Sequence, residues 1–248
     1  MSGKIFHFLH AKGGVGTSLL STNFAYALSK KFPNKKTLFL DANQSSDIPH
    51  LFGLKHNKTI FNLDLFLKEI ISNSNTPDLS KFNDAFEKTV YHLNDLHILL
   101  SPQKYYSLKE LNSFYKRILP WALKVYDFIV IDTEKNNLPL LKATHKNAHS
   151  LIAVTNMDNL SVNKTKSFLK KLSTEELAEK IKIVCNQGEV FSEEELENLF
   201  EEEVIGVLPT ETQGAWDNVL LGAPMTINKK LSYSRHVYLL IDKLFNRS

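Results

Sequence analysis

The feature that most constrains this chain is a glycine-rich turn that follows its first apolar run and leads directly into an amphipathic segment. The residues are IFHFLHAKGGVGTSLLSTNFAYALSK, with glycines at Gly13, Gly14 and Gly16. Glycines let the backbone turn so that several N–H groups point into one concavity, and a helix that starts there adds the positive end of its dipole. The pattern predicts a strand, a phosphate-binding loop and a helix, in that order. A glycine turn without any ligand is the alternative.

The loop departs from the common phosphate-binding template GxxxxGK[ST] at two positions. It keeps Gly16 and Ser18 but has Ala11 in place of the first glycine and Thr17 in place of the lysine. Ser18 stands where a hydroxyl can ligate a magnesium ion that is shared with phosphates. Since the match to this template is weak, the prediction of a phosphate site depends mainly on the strand–loop–helix context.

The rest of the chain alternates short apolar runs with longer amphipathic ones, which is typical of βαβ units in a mostly parallel sheet. We expect strands at residues 4–9, 37–40, 96–100, 128–131, 151–155, 181–185 and 204–207. Apolar residues at three- and four-residue spacing predict helices at 19–31, 61–71, 108–119, 162–172 and 237–245. The sequence therefore predicts one α/β domain over residues 1–248, with a mostly parallel twisted sheet of about seven or eight strands and helices on both faces.

Composition excludes several classes of protein. With 248 residues, 43% hydrophobic and 23% charged, the chain is neither disordered nor fibrous. Its single cysteine, Cys185, excludes a disulfide framework, a cysteine-based zinc site and a thiolate-held iron–sulfur cluster within one chain. The first apolar run indicates a strand rather than a signal peptide, and no stretch approaches the roughly 18 apolar residues of a spanning helix. We therefore expect a cytoplasmic protein.

Two of the predicted strands end in carboxylates. Asp41 follows the run TLFL, and Asp132 follows the run FIVI. Because parallel strands end at one edge of a sheet, where open α/β sheets bind ligands, both carboxylates should lie near the glycine loop. Carboxylates there hold the magnesium ion of phosphoryl transfer. Each aspartate alone is equally consistent with a helix cap, but together they favour a nucleotide site.

The loop KGGVGTS resembles the loop KGGVGKT of the deviant Walker A ATPases, the MinD/ParA family, and within it is most similar to the branch of the CpaE/TadZ pilus-assembly proteins. It is also similar to the loop of the cellulose-synthesis localisation factor of that superfamily. The resemblance extends over nearly the whole chain, through TLFLDANQSSD, YDFIVIDTEKN, IKIVCNQGEV, EEVIGVLPTE and the closing segment from AWDNVLLGAPM onward. Residues 52–95 resemble the family least, so we look there for a surface that meets partners.

The resemblance implies a role for each residue of the site. ATP or ADP would place its phosphates on Lys12, Gly13, Gly14, Val15, Gly16, Thr17 and Ser18. The base would lie between Asn186 on one side and Leu208 and Pro209 on the other. Ser18, Asp41 and Asp132 would hold Mg²⁺. Lys12 would reach the partner's phosphates in a nucleotide-sandwiched dimer and Asp41 would orient water, so these two are the expected catalytic residues.

Three positions differ from the family pattern. Thr17 replaces the later lysine, Asn43 replaces the second aspartate of the acidic motif, and Glu134 replaces a proline after Asp132. Gln44 and Asp47 remain near the acidic motif. Thr17 predicts a weak phosphate site and Asn43 predicts slow hydrolysis, and all three differences argue for a catalytically silent protein.

The leading hypothesis is a nucleotide-dependent dimerising switch, a weak ATPase that positions or helps assemble a cell-surface machine such as a pilus, flagellum or secretion apparatus. The alternatives are a catalytically silent scaffold and a DNA-partitioning ATPase of the ParA type. We expect as partners a second copy of the chain and protein components of a polar or envelope machine, with recruitment to the cell pole or the inner membrane face.

Two other features of the sequence bear on its partners, a set of basic residues and the C-terminal end. ParA-type relatives bind DNA through basic residues near the C-terminus, which here are Lys229, Lys230, Arg235, Lys243 and Arg247. The net charge of only +3 favours ordinary surface charge over a DNA patch. MinD-type relatives carry a C-terminal amphipathic tail, and since this sequence ends at Ser248, close after the last predicted helix, we expect membrane contact to be indirect.

Overall fold

A mostly parallel eight-stranded sheet organises this protein, in agreement with the sequence prediction. The computed structural model describes residues 3–44, 46–72, 79–102, 104, 106–134, 140–141, 144, 147–172, 179–186, 191–210 and 213–246. The strands are β1 (Lys4–His10), β2 (Thr37–Asp41), β3 (Tyr91–Leu93), β4 (Leu96–Leu99), β5 (Phe128–Asp132), β6 (Ala148–Asn156), β7 (Ile181–Asn186) and β8 (Val204–Leu208). Their order across the sheet is β3-β4-β2-β5-β1-β6-β7-β8.

The helices fill the connections between strands. They are α1 (Thr17–Lys31), α2 (Ile48–Leu51), α3 (Ile60–Ser72), α4 (Leu79–Thr89), α5 (Leu108–Val125), α6 (Asn159–Leu172), α7 (Glu193–Phe200), α8 (Gln213–Leu220) and α9 (Ser232–Asn246), with a 3-10 turn at Met225–Ile227. All five helices that the apolar spacing predicts are present. The strand that the sequence did not predict is β3, which pairs antiparallel with β4 and has only 3 residues, too few for a recognisable alternation.

Alternate side chains of the central strands pack into layers on opposite faces of the sheet. In β1, Phe6 and Phe8 pack with residues of α1 and α9. Ile5 packs on the opposite face with residues of α3, α4 and α5, and Leu9 packs on that face with residues of α6 and α7. This is the alternation expected of a strand buried on both sides, and it fixes the register of the sheet.

The register brings polar residues to the carboxyl edge of the sheet. Asp41 at the end of β2 lies opposite Asp132 at the end of β5. On the other side of β1, Asn156 at the end of β6 lies opposite Asn186 at the end of β7. Since β1 is the central strand between these pairs and continues into the glycine loop, both pairs flank that loop.

Two glycines join the end of α2 to the end of α8. Gly53 follows α2 with a φ of +63°, and Gly222 follows α8 with a φ of +70°. A Cβ atom on Gly222 would lie 2.5 Å from the Cα of Gly53. This backbone contact therefore requires glycine, both because φ is positive and because a Cβ atom would not fit.

Candidate functional site

The glycine loop ends at the N-terminus of α1, and no described side chain caps this helix. Gly14 and Gly16 have φ values of 78° and 84°, in the left-handed region that glycine adopts readily. The first turn of α1 contains no acidic residue. No residue of the helix's own first turn therefore offsets the partial positive charge of this end, and a glycine loop followed by such a helix start is suited to bind an anion.

Gly16 is also required by its neighbour on β7. The side-chain amide of Asn186 donates a hydrogen bond to the carbonyl oxygen of Val15 at 3.0 Å. A Cβ atom on residue 16 would lie 2.2 Å from that amide nitrogen. The residue that the sequence assigns to the base is thus in contact with the phosphate loop itself.

Asp132 connects the start of α1 to the loop that begins at Asp41, at the end of β2, and continues through Asn43 and Gln44. We call this loop the acidic loop. Its carboxylate accepts hydrogen bonds from the Ser18 hydroxyl at 2.8 Å, from the Ser21 hydroxyl at 3.1 Å and from the side-chain amide of Asn43 at 2.8 Å. The same amide nitrogen donates to Asp41 at 2.9 Å. The structure therefore brings together Ser18, Asp41 and Asp132, which the sequence proposes as the magnesium-holding set.

Burial dominates the electrostatics of the two aspartates. Asp41 is 0% exposed and Asp132 is 1% exposed. Burial raises the pKa of both carboxyls, and the nearby Asp41 raises the pKa of Asp132 further, to about 6, although hydrogen bonds from Ser18, Asn43 and Ser21 oppose this shift. The hydrogen-bond donors to both carboxylates in the described structure are neutral groups.

The oxygen atoms of this cluster fit a hard cation such as Mg²⁺, which prefers one or two carboxylates and the oxygens of a phosphate ligand. Within the described residues, no group of three His, Cys, Asp or Glu side chains stands ready to hold a metal by itself. A magnesium ion here would therefore need the Ser18 hydroxyl and the oxygens of a bound nucleotide in addition to the protein carboxylates.

Lys12 is paired within its own chain. Its ammonium group lies 3.1 Å from the carboxylate of Asp158 and donates to the Ser161 hydroxyl at 3.1 Å. Hydrogen bonds from Ser161, and then the interaction with Lys12, lower the pKa of Asp158 to about 2. The two side chains are 30% and 46% exposed, so this ion pair contributes little to folding and can be exchanged for another partner.

A pocket beside the loop lies where the base is expected. Its lining comprises Gly14, Val15, Gly16, Leu19, Asn156, Asn186, Pro209, Thr210, Trp216, Met225 and Tyr233. Asn186 and Pro209 line it as the sequence proposes, whereas Leu208 is fully buried in the core. Trp216 and Asn156 were not foreseen, because α8 and the end of β6 carry no recognisable motif.

Two buried polar atoms at this edge are placed to meet a polar ligand or an ordered water. The Asn156 side-chain oxygen and the Thr17 hydroxyl are buried and find no hydrogen-bond partner among the described residues. Buried polar groups are normally paired, so atoms of this kind mark places where a ligand or water completes the structure. One of them lies in the pocket and the other at the end of the loop.

Two of the basic residues considered for DNA have partners within the chain. Lys243 forms an ion pair with Glu193, and the ammonium group of Lys229 lies 5.2 Å from the ring of Tyr238. Lys230 and Arg235 are exposed, whereas Arg247 lies outside the described residues. Separately, none of the described helices combines the length and the apolarity that crossing a membrane requires.

Comparisons with known proteins agree with the fold and the loop. Residues 3–185 match the family model described as an AAA domain. An uncharacterized ATP-binding protein of Methanocaldococcus jannaschii is 29% identical over 212 residues, which cover 80% of this chain and 81% of that protein. A ParA family ATPase from Chlorobium tepidum has a TM-score of 0.75 at 21% identity, with 98% of this chain and 99% of that chain covered.

A third comparison is with the septum site-determining protein MinD from Pyrococcus horikoshii in complex with Mg-ADP. It has a TM-score of 0.74 at 16% identity, with 99% of this chain and 97% of that chain covered. The family match extends over most of the chain, and the matched residues begin with the strand and glycine loop described above. This chain belongs to the family described as an AAA domain, and it has the fold of the MinD and ParA ATPases.

Proposed function

We propose that this chain binds Mg-ATP at the glycine loop and acts as a nucleotide-dependent dimerising switch. The observation that carries the proposal is the convergence of the loop, the Ser18 hydroxyl and the Asp132 carboxylate at the uncapped end of α1. The backbone N–H groups of residues 13–18 would hold the phosphates, and the pocket beside Asn186 would hold the base. The ATP-binding relative and the MinD complex with Mg-ADP support this assignment.

Ser18 and Asp132 would hold Mg²⁺, and Asp41 would lie farther from the ion. When bound, it would neutralise charge on the β and γ phosphates. The residues of the chain itself position the phosphates through the loop backbone and hold the acidic loop in place through Asn43, which bridges the two carboxylates. Loss of the loop lysine at Thr17 weakens the site without removing the backbone groups that bind phosphate.

Dimerisation would depend on Lys12. In the single chain its charge is balanced by Asp158, and in a dimer it would instead approach the partner's phosphates. A ligand shifts an equilibrium only through its different affinity for the two states. The γ phosphate supplies that difference, because it offers Lys12 a more strongly charged partner than Asp158.

The switch would position or help assemble a cell-surface machine such as a pilus, flagellum or secretion apparatus, with recruitment to the cell pole or inner membrane face through a protein partner. The support is the loop KGGVGTS, which is similar to the CpaE/TadZ branch. A second candidate is a silent scaffold that binds nucleotide weakly or not at all. It is favoured by Thr17 and by Asn43, since neither side chain can supply a charge to phosphoryl transfer.

The test is the melting midpoint with Mg-ATP, with Mg-ADP and with neither, together with sedimentation in each condition. A ligand at 100 times its Kd adds about 2.7 kcal/mol, which means a rise of several degrees for a domain of this size. We expect a rise and an ATP-specific dimer in the natural protein. Lys12→Ala should remain monomeric, whereas the control Lys35→Ala, which removes the exposed ion pair with Asp127, should still dimerise. Absence of any rise at millimolar nucleotide would favour the scaffold.

A further inference from the structure

Hydrolysis of ATP needs a group that orients the attacking water and accepts its proton, and the two buried carboxylates are poorly suited to that work. One oxygen of Asp41 accepts the Asn43 amide and the other accepts the backbone N–H of Ser101. Both oxygens of Asp132 accept hydrogen bonds as well. Because both side chains are almost fully buried, neither offers a solvent-facing acceptor to a water molecule.

Asn43 stands two residues after Asp41 in the acidic loop, but it has no carboxylate. Its amide nitrogen donates to Asp41 and Asp132 at the same time. That nitrogen has two hydrogens, so these two bonds use its whole donor capacity. An uncharged amide accepts protons far too weakly to serve as a general base. Asn43 therefore holds the acidic loop together and leaves the proton acceptor to another residue.

Glu134 brings a carboxylate to the backbone of the acidic loop from the end of the neighbouring strand β5. It lies two residues beyond Asp132, and its carboxylate accepts the backbone N–H of Gln44, the residue directly after Asn43. Unlike the two aspartates, Glu134 is exposed. The other carboxylates at this edge are differently placed, since Asp158 pairs with Lys12 and Asp47 stands at the start of α2.

We propose that Glu134 is the catalytic residue that orients and deprotonates the attacking water. In this step the water oxygen bonds to the γ phosphorus, the bond from that phosphorus to the β–γ bridging oxygen breaks, and ADP leaves. The proton of the water passes to Glu134 and then to solvent. The carboxylate that position 43 lacks is thus supplied from position 134. This inference rests on the proposed function, because it requires Mg-ATP at the loop.

The test is phosphate release in a single turnover with Mg-ATP, measured beside the melting rise that Mg-ATP produces. Glu134→Gln should slow release by about 10²-fold or more, as removal of a general base does, while the melting rise stays unchanged. Glu134→Asp, which keeps a carboxylate on a side chain shorter by one methylene, should retain more of the rate than Glu134→Gln. The control Glu194→Gln makes the same change on an exposed residue of α7 and should leave the rate unchanged.

The outcomes separate this inference from the proposed function. If the natural protein shows the melting rise but Glu134→Gln releases phosphate at the natural rate, or if the rate is lost in Asp47→Asn instead, Glu134 has no such role. A natural protein that binds Mg-ATP without any turnover overturns the inference as well. If there is no melting rise at all, the proposed function fails first. A lowered melting midpoint without nucleotide in Glu134→Gln would show a structural role in place of a catalytic one.

Discussion

Replacing Asp132 by asparagine should stabilise the metal-free protein at neutral pH, although it destroys the proposed magnesium site. Burial, followed by the charge of Asp41, raises the pKa of this carboxyl from 3.8 to about 6. At about 1.4 kcal/mol per unit, keeping it ionised at pH 7 costs the folded state up to about 3 kcal/mol. Asparagine is never ionised and still accepts the hydrogen bond of Ser18. We expect a net gain of about 1 to 3 kcal/mol in the free energy of unfolding. The amide hydrogens of asparagine fit this donor-rich cluster less well, which reduces the gain from removing the buried charge.

The pH dependence of the free energy of unfolding gives the sign of the Asp132 contribution independently. A carboxyl whose pKa is higher in the folded than in the unfolded chain binds more protons when folded, so the free energy of unfolding falls as pH rises from about 4 to about 6. Urea denaturation with EDTA at several pH values should show this fall in the natural protein and a weaker fall in Asp132→Asn. The control is Asp84→Asn, on the exposed side of α4. An Asp132→Asn variant that is less stable at pH 7, with an unchanged pH profile, would refute the reasoning.

Two further variants test the joint between α2 and α8 and the ion pair of Lys12. Gly222→Ala should lower the free energy of unfolding by about 1 to 3 kcal/mol or more, since it places a Cβ against Gly53 and forces alanine to a positive φ. The control is Gly13→Ala, whose Cβ would meet nothing within 4 Å. It should change stability far less in the same denaturation assay. Asp158→Asn should leave stability nearly unchanged because the pair is exposed. It should shift the ATP-dependent monomer–dimer equilibrium towards the dimer in sedimentation, and an unchanged equilibrium would show that this pair does not restrain Lys12.

Much of the fold was accessible from the sequence because its signals are local. The run Phe128–Asp132 is continuously apolar before its aspartate, which predicts a strand buried on both faces, and the structure confirms it. The glycine loop predicts its own conformation, since left-handed positions at Gly14 and Gly16 tolerate little else. In contrast, β3 was missed because its pairing with β4 depends on a tertiary neighbour and leaves almost no pattern in 3 residues.

The candidate site divides in the same way. Ser18, Asp41 and Asp132 follow elements with clear signals, so their meeting could be expected from the parallel register alone. Asp158 gave no such signal, because its partner Lys12 lies 146 residues away along the chain. Trp216 reaches the pocket from α8, the helix whose following residue Gly222 lies against Gly53. Contacts of this kind are set by packing between distant elements, which no local motif records.

The departures from the family pattern offset one another in charge. A lysine at position 17 and an aspartate at position 43 would place one positive and one negative charge at two buried positions. In this chain both residues are neutral, and Thr17 and Asn43 are only 4% and 5% exposed. An aspartate at position 43 would stand beside Asp41 and Asp132 without the two amide hydrogens that Asn43 donates to them, and buried charges without compensation are strongly destabilising. The neutral Asn43 therefore keeps the two buried carboxylates stable without nucleotide, while Glu134 keeps its carboxylate at an exposed position.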